Sequence, residues 1–234
     1  MGVYMYIEGL SVVIPARNEP ISLDYVLRMI KVFSKYVTEV IVVVDSESDS
    51  TLEVRPHLIN YGIPVTFVTN QLGGIANALK LGVESSKSEY LLVAMADELV
   101  PVISFDEFYL KLNSGADIVS ATRYSKGGIR YGGNRYGRLL SYTANKLMSM
   151  IFHNTFTDFT TGMKAFKKLQ APFLLSNIEY GGWAPALKIS INAIRNDLVI
   201  EEVPIISVDR LLDGKSSFKL GMWTTQYLKA LVTK

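Results

Sequence analysis

The 234-residue chain has no cysteine and only two histidines, His57 and His153. Disulfide bonds and thiolate metal sites are therefore excluded, and so is a zinc site built from three histidines. A single Ser-His-Asp triad stays arithmetically possible, but the chain has no Gly-x-Ser-x-Gly turn for its nucleophile. Any metal would be held by oxygen ligands, which favours Mg²⁺ or Mn²⁺.

The chain also lacks a strong charge and long apolar runs. A formal net charge of +2 does not indicate a nucleic-acid binder, because such domains usually carry a marked basic excess. The apolar runs Val40–Val44 and Tyr90–Met95 fall far short of the roughly 18–20 residues that span a bilayer. The N-terminus has no cationic segment followed by an apolar core, so no signal peptide is predicted. We therefore expect a cytoplasmic protein, with contact to the membrane surface left open.

The first half of the chain alternates β-branched apolar runs with helical spacing. This alternation predicts an α/β fold in which a mostly parallel sheet is flanked by helices. The predicted strands are Leu10–Pro15, Glu39–Val44, Pro64–Val68, Tyr90–Met95 and Asp117–Thr122. The predicted helices are Ile21–Lys35, Ser50–Tyr61, Gly74–Ser85 and one near Phe105–Leu112.

Beyond Gly127 the pattern becomes less regular. A glycine-rich segment, Lys126–Gly137, precedes a predicted helix over Arg138–Phe152, and a last strand is predicted over Leu198–Ile206. The chain ends in a predicted amphipathic helix over Met222–Val232, which could pack on the domain or lie on a membrane surface. One domain over residues 1–219 with a C-terminal helical extension over residues 220–234 is the simplest division.

Polar residues follow several of the predicted strands, where parallel sheets bind ligands. Asp45 ends one strand, and it could contact a ribose or merely precede the cap of the next helix. The adjacent carboxylates Asp97 and Glu98 could hold a divalent cation between two phosphates, or form a solvated loop. Gly73 and Gly74 permit close approach to a phosphate, but a tight turn requires the same residues.

Together these segments resemble family 2 glycosyltransferases with the GT-A fold. Ser11–Glu19 is similar to that family's opening strand and loop, Val42–Thr51 to its acidic turn, and Asn70–Gly82 to its glycine-containing loop and helix. Asp97 and Glu98 stand where the family has its metal-binding Asp-x-Asp. The resemblance implies a nucleoside diphosphate sugar as donor, with Mg²⁺ or Mn²⁺ held by Asp97 and Glu98. The residues it implies for the nucleotide sugar are Pro15, Arg17, Glu19, Asp45, Gly74 and Asp97.

The second half offers cations and hydroxyls that could bind a phosphate. Arg138, Ser141 and Asn145 fall on one helix face by their spacing, and Arg123 and Arg210 could each make bidentate contacts. Surface arginines with no shared ligand would give the same sequence pattern.

The same half resembles the polyprenyl-phosphate glycosyltransferases that include dolichyl-phosphate mannose synthases. The similar segments are Ser120–Tyr124, Arg138–Asn145, Asp158–Phe166 and Glu202–Arg210. This resemblance implies that Arg123, Arg138 and Ser141 hold the acceptor phosphate. It also implies that Asp158, Lys164 and Arg210 lie at the reaction centre.

The chain departs from the family at the metal motif. Ala96 replaces the first acid of Asp-x-Asp and Glu98 the second, so either Glu98 acts alone or Asp97 is brought into use by a shift. The acidic turn has Ser46 where an aspartate is usual, and a basic pair is reduced to Gly137-Arg138.

We expect transfer of a hexose, mannose or glucose, from a nucleoside diphosphate sugar to a polyprenyl phosphate. A phosphate acceptor is already ionised near neutral pH, so positioning and charge neutralisation would suffice for catalysis. Two alternatives are a family 2 transferase with a soluble acceptor and a non-catalytic nucleotide-sugar-binding subunit. The absence of an acid at Ala96 favours the last.

Overall fold

A computed structural model of the protein describes residues 7–132, 135–153, 156–178, 184–208 and 230. The strands are β1 (Ile7–Pro15), β2 (Val37–Val44), β3 (Val65–Thr69), β4 (Ser88–Val93), β5 (Ile118–Thr122), β6 (Ile129–Tyr131), β7 (Lys164–Lys167), β8 (Ile200–Pro204) and β9 (Ile206–Val208). The α-helices are α1 (Pro20–Phe33), α2 (Ile75–Ser85), α3 (Phe105–Asn113), α4 (Arg135–Phe152), α5 (Ala171–Leu174) and α6 (Ala184–Arg195). Short 3₁₀-helices cover Ser50–Asn60, Val100–Ser104 and Lys168–Gln170.

Seven strands form the main sheet, in the order β3-β2-β1-β4-β7-β5-β8. Neighbouring strands run parallel except at β7, which is antiparallel to both β4 and β5. The predicted α/β fold with a mostly parallel sheet flanked by helices is therefore confirmed. The division into residues 1–219 and 220–234 stays a prediction, because the helix over Met222–Val232 lies, apart from Ala230, outside the described residues.

The core consists of two apolar layers, one on each face of the sheet. Alternate residues of a strand point to opposite faces, so Val12 and Ile14 join the layer under α1 and α3, whereas Val13 joins the layer under α2. Helix α2 approaches β1 closely at Gly82, where any side chain would collide with Val13. These two layers fix the carboxyl edge of the sheet, where the polar loops emerge.

The structure corrects several predicted elements. The region predicted as a helix over Ser50–Tyr61 is a 3₁₀-helix that contains Pro56, which cannot donate an α-helical hydrogen bond. The strand predicted over Leu198–Ile206 is split. Pro204 ends the pairing of β8 with β5, and the chain then turns to pair with β6 in a separate two-stranded sheet. Strand β7 and helix α6 were not predicted.

Candidate functional site

The loops after β1 and β2 are joined at the carboxyl edge of the sheet. The backbone amides of Asn18 and Thr51 donate to Asp49 Oδ1 at 2.9 and 2.8 Å, and the amide of Glu19 donates to Thr51 Oγ1 at 3.0 Å. Burial opposes ionisation of Asp49, but these hydrogen bonds outweigh it and lower the pKa of its carboxyl. The charged carboxylate therefore holds the Asn18 backbone in its left-handed conformation, with φ of 56°.

A second junction links β2 to the glycine loop before α2. The Asn70 side-chain amide donates to Asp45 Oδ1 at 3.1 Å and to the Gly74 carbonyl at 3.0 Å. Gly73 and Gly74 have φ of 68° and 79°, and open space lies beside both Cα atoms. The structure thus brings Asp45 and Gly74 together, as a shared nucleotide site requires, and adds Asn70, to which sequence reasoning assigned no role.

The metal motif after β4 points its residues in different directions. Ala96 is buried in the core, Asp97 is exposed, and Glu98 is half-buried and accepts a hydrogen bond from Ser207 Oγ at 3.1 Å. Burial, together with the nearby carboxylates of Asp97 and Asp49, raises the pKa of Glu19 to about 7. Carboxylates from three separate loops therefore face one another at this edge.

This donor set fits a divalent cation that is shared with a substrate. Within the described residues, no group of three or more histidine, aspartate or glutamate side chains could hold a metal by itself. Mg²⁺ and Mn²⁺ at phosphate sites commonly take one or two carboxylates, with substrate phosphates and water as the other ligands. Asp97 and Glu98 match that arrangement in number and chemistry.

On the other side of Glu98 lies an ion pair between Arg123 and Asp158. The guanidinium donates to both carboxylate oxygens, at 2.7 and 2.9 Å, and Asp158 is fully buried. Burial opposes the positive charge of Arg123, but Asp158 and, to a lesser extent, Glu98 raise its pKa, so the guanidinium stays cationic. The predicted phosphate ligand Arg123 is thus oriented by one of the predicted reaction-centre residues.

Lys164 and Glu202 lie beneath this pair. The buried Lys164 ammonium donates to Ser120 Oγ at 2.8 Å, and burial lowers its pKa to about 8 although Asp158 and Glu202 oppose the shift. Glu202 accepts from the Thr157 amide at 2.7 Å and the Asp158 amide at 3.2 Å, which fixes the loop that carries Asp158. Sequence reasoning assigned no role to Glu202.

Helix α4 closes the cluster with its polar residues. Ser141 Oγ pairs with the Tyr124 hydroxyl at 2.8 Å, and the buried Asn145 accepts from the Phe159 amide at 2.8 Å. Arg138 donates to the Arg130 carbonyl at 3.4 Å, so it lies at the flank of this face. The predicted reaction-centre residue Arg210 lies outside the described residues.

The profile of the family described as glycosyl transferase family 2 matches residues 11–169, which extend from within β1 to just beyond β7. The chain belongs to this family. The family 2 profile thus confirms the predicted family and makes the chain a glycosyltransferase. Among the described helices, none combines the length and apolar character needed to cross a bilayer.

Solved structures of glucosyl-3-phosphoglycerate synthase from Mycobacterium tuberculosis share the fold of this family 2 chain. A complex with Mn²⁺, uridine diphosphate and glucosyl-3-phosphoglycerate has a TM-score of 0.68 at 20% identity, over 96% of this chain and 78% of that one. A complex with phosphoglyceric acid has a TM-score of 0.69 at 21% identity, over 96% and 79%. A complex with Mn²⁺, uridine-diphosphate-glucose and phosphoglyceric acid has a TM-score of 0.69 at 20% identity, over 96% and 78%.

Proposed function

We propose that the chain transfers a hexose from a nucleoside diphosphate sugar to a phosphate-bearing acceptor and inverts the anomeric centre. The observation that carries this proposal is the pairing of two clusters at one sheet edge. Carboxylates emerge after β1, β2 and β4, Arg123 emerges after β5, and its partner Asp158 lies in the loop before β7. Glu98 adjoins Asp97 in the chain and lies within electrostatic range of Arg123.

The carboxylate side is suited to the donor. Pro15, Arg17, Glu19 and Asp45 would surround the nucleoside, and Gly74 would let the backbone approach the diphosphate. Asp97 and Glu98 would hold Mg²⁺ or Mn²⁺, which neutralises charge on the leaving diphosphate. The solved structures with Mn²⁺ and uridine-diphosphate-glucose support this assignment by fold.

The cationic side is suited to the acceptor phosphate, with Arg123, Arg138 and Ser141 as its ligands and Arg210 as a further cation. Asp158 and Lys164 are both buried, so we propose that neither touches the sugar and that Asp158 positions the Arg123 guanidinium. An ionised phosphate needs no strong general base, so cationic and hydroxyl ligands that hold it in place for in-line attack would suffice.

Two acceptors each have a supporting observation. The fold is shared with an enzyme whose structures hold phosphoglyceric acid, which supports a soluble phosphorylated acceptor. The apolar outer face of α4 beside the Arg123 cluster supports a polyprenyl phosphate, because a lipid chain could lie along it. The two acceptors can be distinguished by whether the transferred sugar is found in a lipid product or in a water-soluble one.

The test supplies labelled UDP-glucose or GDP-mannose with Mn²⁺ and either phosphoglyceric acid or a short polyprenyl phosphate. Label that moves into the organic phase identifies the lipid acceptor, and label in a new aqueous product identifies the soluble one. Glu98→Ala and Arg138→Ala should each abolish most of the transfer, whereas the exposed Glu89→Ala on β4 should keep it. Full activity in both site variants would overturn these roles.

A further inference from the structure

The outer face of α4 is apolar although it is exposed. Its large side chains lie 54% to 64% exposed at Leu139, Leu140, Leu147, Met150 and Ile151. The inner face of the same helix carries the polar residues Ser141 and Asn145. Helices on globular proteins normally have the opposite arrangement, and a contiguous exposed apolar face marks an interaction surface.

The segment around α4 has an unusual charge distribution. From Arg123 to Thr157, both included, the sequence contains six lysine and arginine residues and no aspartate or glutamate. Lys126 and Lys146 are exposed, and Lys146 immediately precedes the apolar Leu147 on the outer face. Within this segment the apolar face is thus accompanied by cations and by no anion, which is the composition of an interfacial helix that binds anionic lipid.

The β6–β9 ribbon adds a second apolar face next to the start of α4. Ile129 pairs with Ile206, and Tyr131 follows two residues along β6, so all three side chains share one face of the ribbon. All three are exposed. The hydrogen bond from Arg138 to the Arg130 carbonyl joins the ribbon to the first turns of α4.

We propose that α4 and the β6–β9 ribbon form a docking surface for an anionic lipid bilayer. The surface places the Arg123–Asp158 cluster, on the inner side of α4, close to the lipid headgroups. The functional reason for such docking rests on the proposed transfer to a polyprenyl phosphate. The docking itself can be measured without any sugar transfer. Contact with a second copy of the chain would also cover the apolar residues. It would not explain why the charged residues of this segment are all cationic.

The experiment is flotation of the purified chain with vesicles of phosphatidylcholine alone or mixed with phosphatidylglycerol. The wild-type chain should float with the mixed vesicles, less so in high salt, and stay at the bottom with neutral ones. Leu147→Glu should weaken vesicle partitioning at least about tenfold, since it removes an exposed apolar side chain that the bilayer would bury and adds an anion. Lys146→Glu should weaken it at least about fivefold.

The matched control is Val32→Glu on α1, where an apolar side chain is 70% exposed on a different helix. This variant should float like the wild type. Flotation equal on neutral and anionic vesicles, no flotation at all, or a wild-type dimer that Leu147→Glu dissociates would each overturn the docking surface. A nucleotide-induced rise in melting temperature, measured in parallel, shows whether the donor site survives such a result.

Discussion

At the scale of single residues, the hydroxyl of Ser207 connects two parts of the site. It lies buried on β9 and donates to Glu98, the half-buried carboxylate of the metal motif. A carboxylate that ligates a metal is usually held by a further hydrogen bond, which fixes its orientation and tunes its affinity. Under the proposed assignment of Glu98 to the metal, Ser207 would therefore be a positioning residue for that carboxylate.

Removal of this hydroxyl should weaken metal binding without unfolding the protein. We expect Ser207→Ala to raise the apparent Kd for Mn²⁺ in the presence of UDP by about tenfold, the lower end for residues behind a metal ligand. Electron paramagnetic resonance of free Mn²⁺ measures this directly. Ser207→Thr keeps the hydroxyl and should restore most of the affinity, and equal losses in both variants would point to packing instead.

Lys164 makes a prediction about pH. Its pKa is lowered to about 8 in the folded protein by burial and returns to its ordinary value, near 10.5, on unfolding. The unfolded chain therefore binds more protons between these values, so stability increases as the pH rises from about 8 to 10.5.

Replacement by a neutral side chain should remove that dependence. In urea titrations, the free energy of unfolding of the wild type relative to Lys164→Met should rise across this window by on the order of 3 kcal/mol. Lys167→Met, at the other end of β7, is the matched control, because Lys167 is partly exposed and paired with Asp117. A flat difference for Lys164→Met would show that the ammonium is already solvated.

At the scale of secondary-structure elements, α2 and β1 are in close contact at Gly82, where an added methyl group would not fit. Gly82→Ala should destabilise the protein by about 1–3 kcal/mol, because the new methyl group overlaps Val13. Gly137→Ala in α4 faces open space and should be neutral or stabilise by up to about 1 kcal/mol. Thermal unfolding compares the two. A double variant with Val13→Ala should recover part of the loss, and no recovery would contradict the overlap.

The elements that sequence reasoning found are those with a simple period. Strands β2 and β5 and most of β1 are apolar runs buried on both faces, β3 is apolar but only half-buried, and α1 to α3 have one buried stripe. Their patterns are therefore visible without tertiary information. Helix α6 is buried at every residue from Ala184 to Ala193, and its polar residues Lys188, Ser190 and Asn192 alternate with apolar ones, which is the spacing typical of a strand. Strand β7 is four residues long with a lysine at each end, which resembles a polar turn.

The sequence also predicted one part of the candidate site and missed another. Asp45, Gly74 and Asp97 were expected at one edge because each follows a parallel strand, and the structure places them there. The Arg123–Asp158 pair was not predicted, because it depends on β7 returning between β4 and β5. Arg210 and the C-terminal helix stay predictions.

At the scale of the whole molecule, binding of the donor should increase the free energy of unfolding. A nucleoside diphosphate sugar at a hundred times its Kd adds about 2.7 kcal/mol, which for a chain of this size raises Tm by about 5–10 °C. We expect this increase with either UDP- or GDP-linked sugars, and only when Mn²⁺ is present. A comparable increase in EDTA would favour a metal-independent binding subunit over an enzyme.

The reversed strand β7 has a consequence for how such proteins diversify. It separates β3-β2-β1-β4, whose loops would form the donor side under the proposed function, from β5-β8, whose loops would form the acceptor side. Lys164, at the beginning of β7, pairs with Val93 on one half and Ser120 on the other. A chimera that exchanges everything after β4 for the matching part of another family member should therefore inherit a new acceptor and keep its original sugar donor.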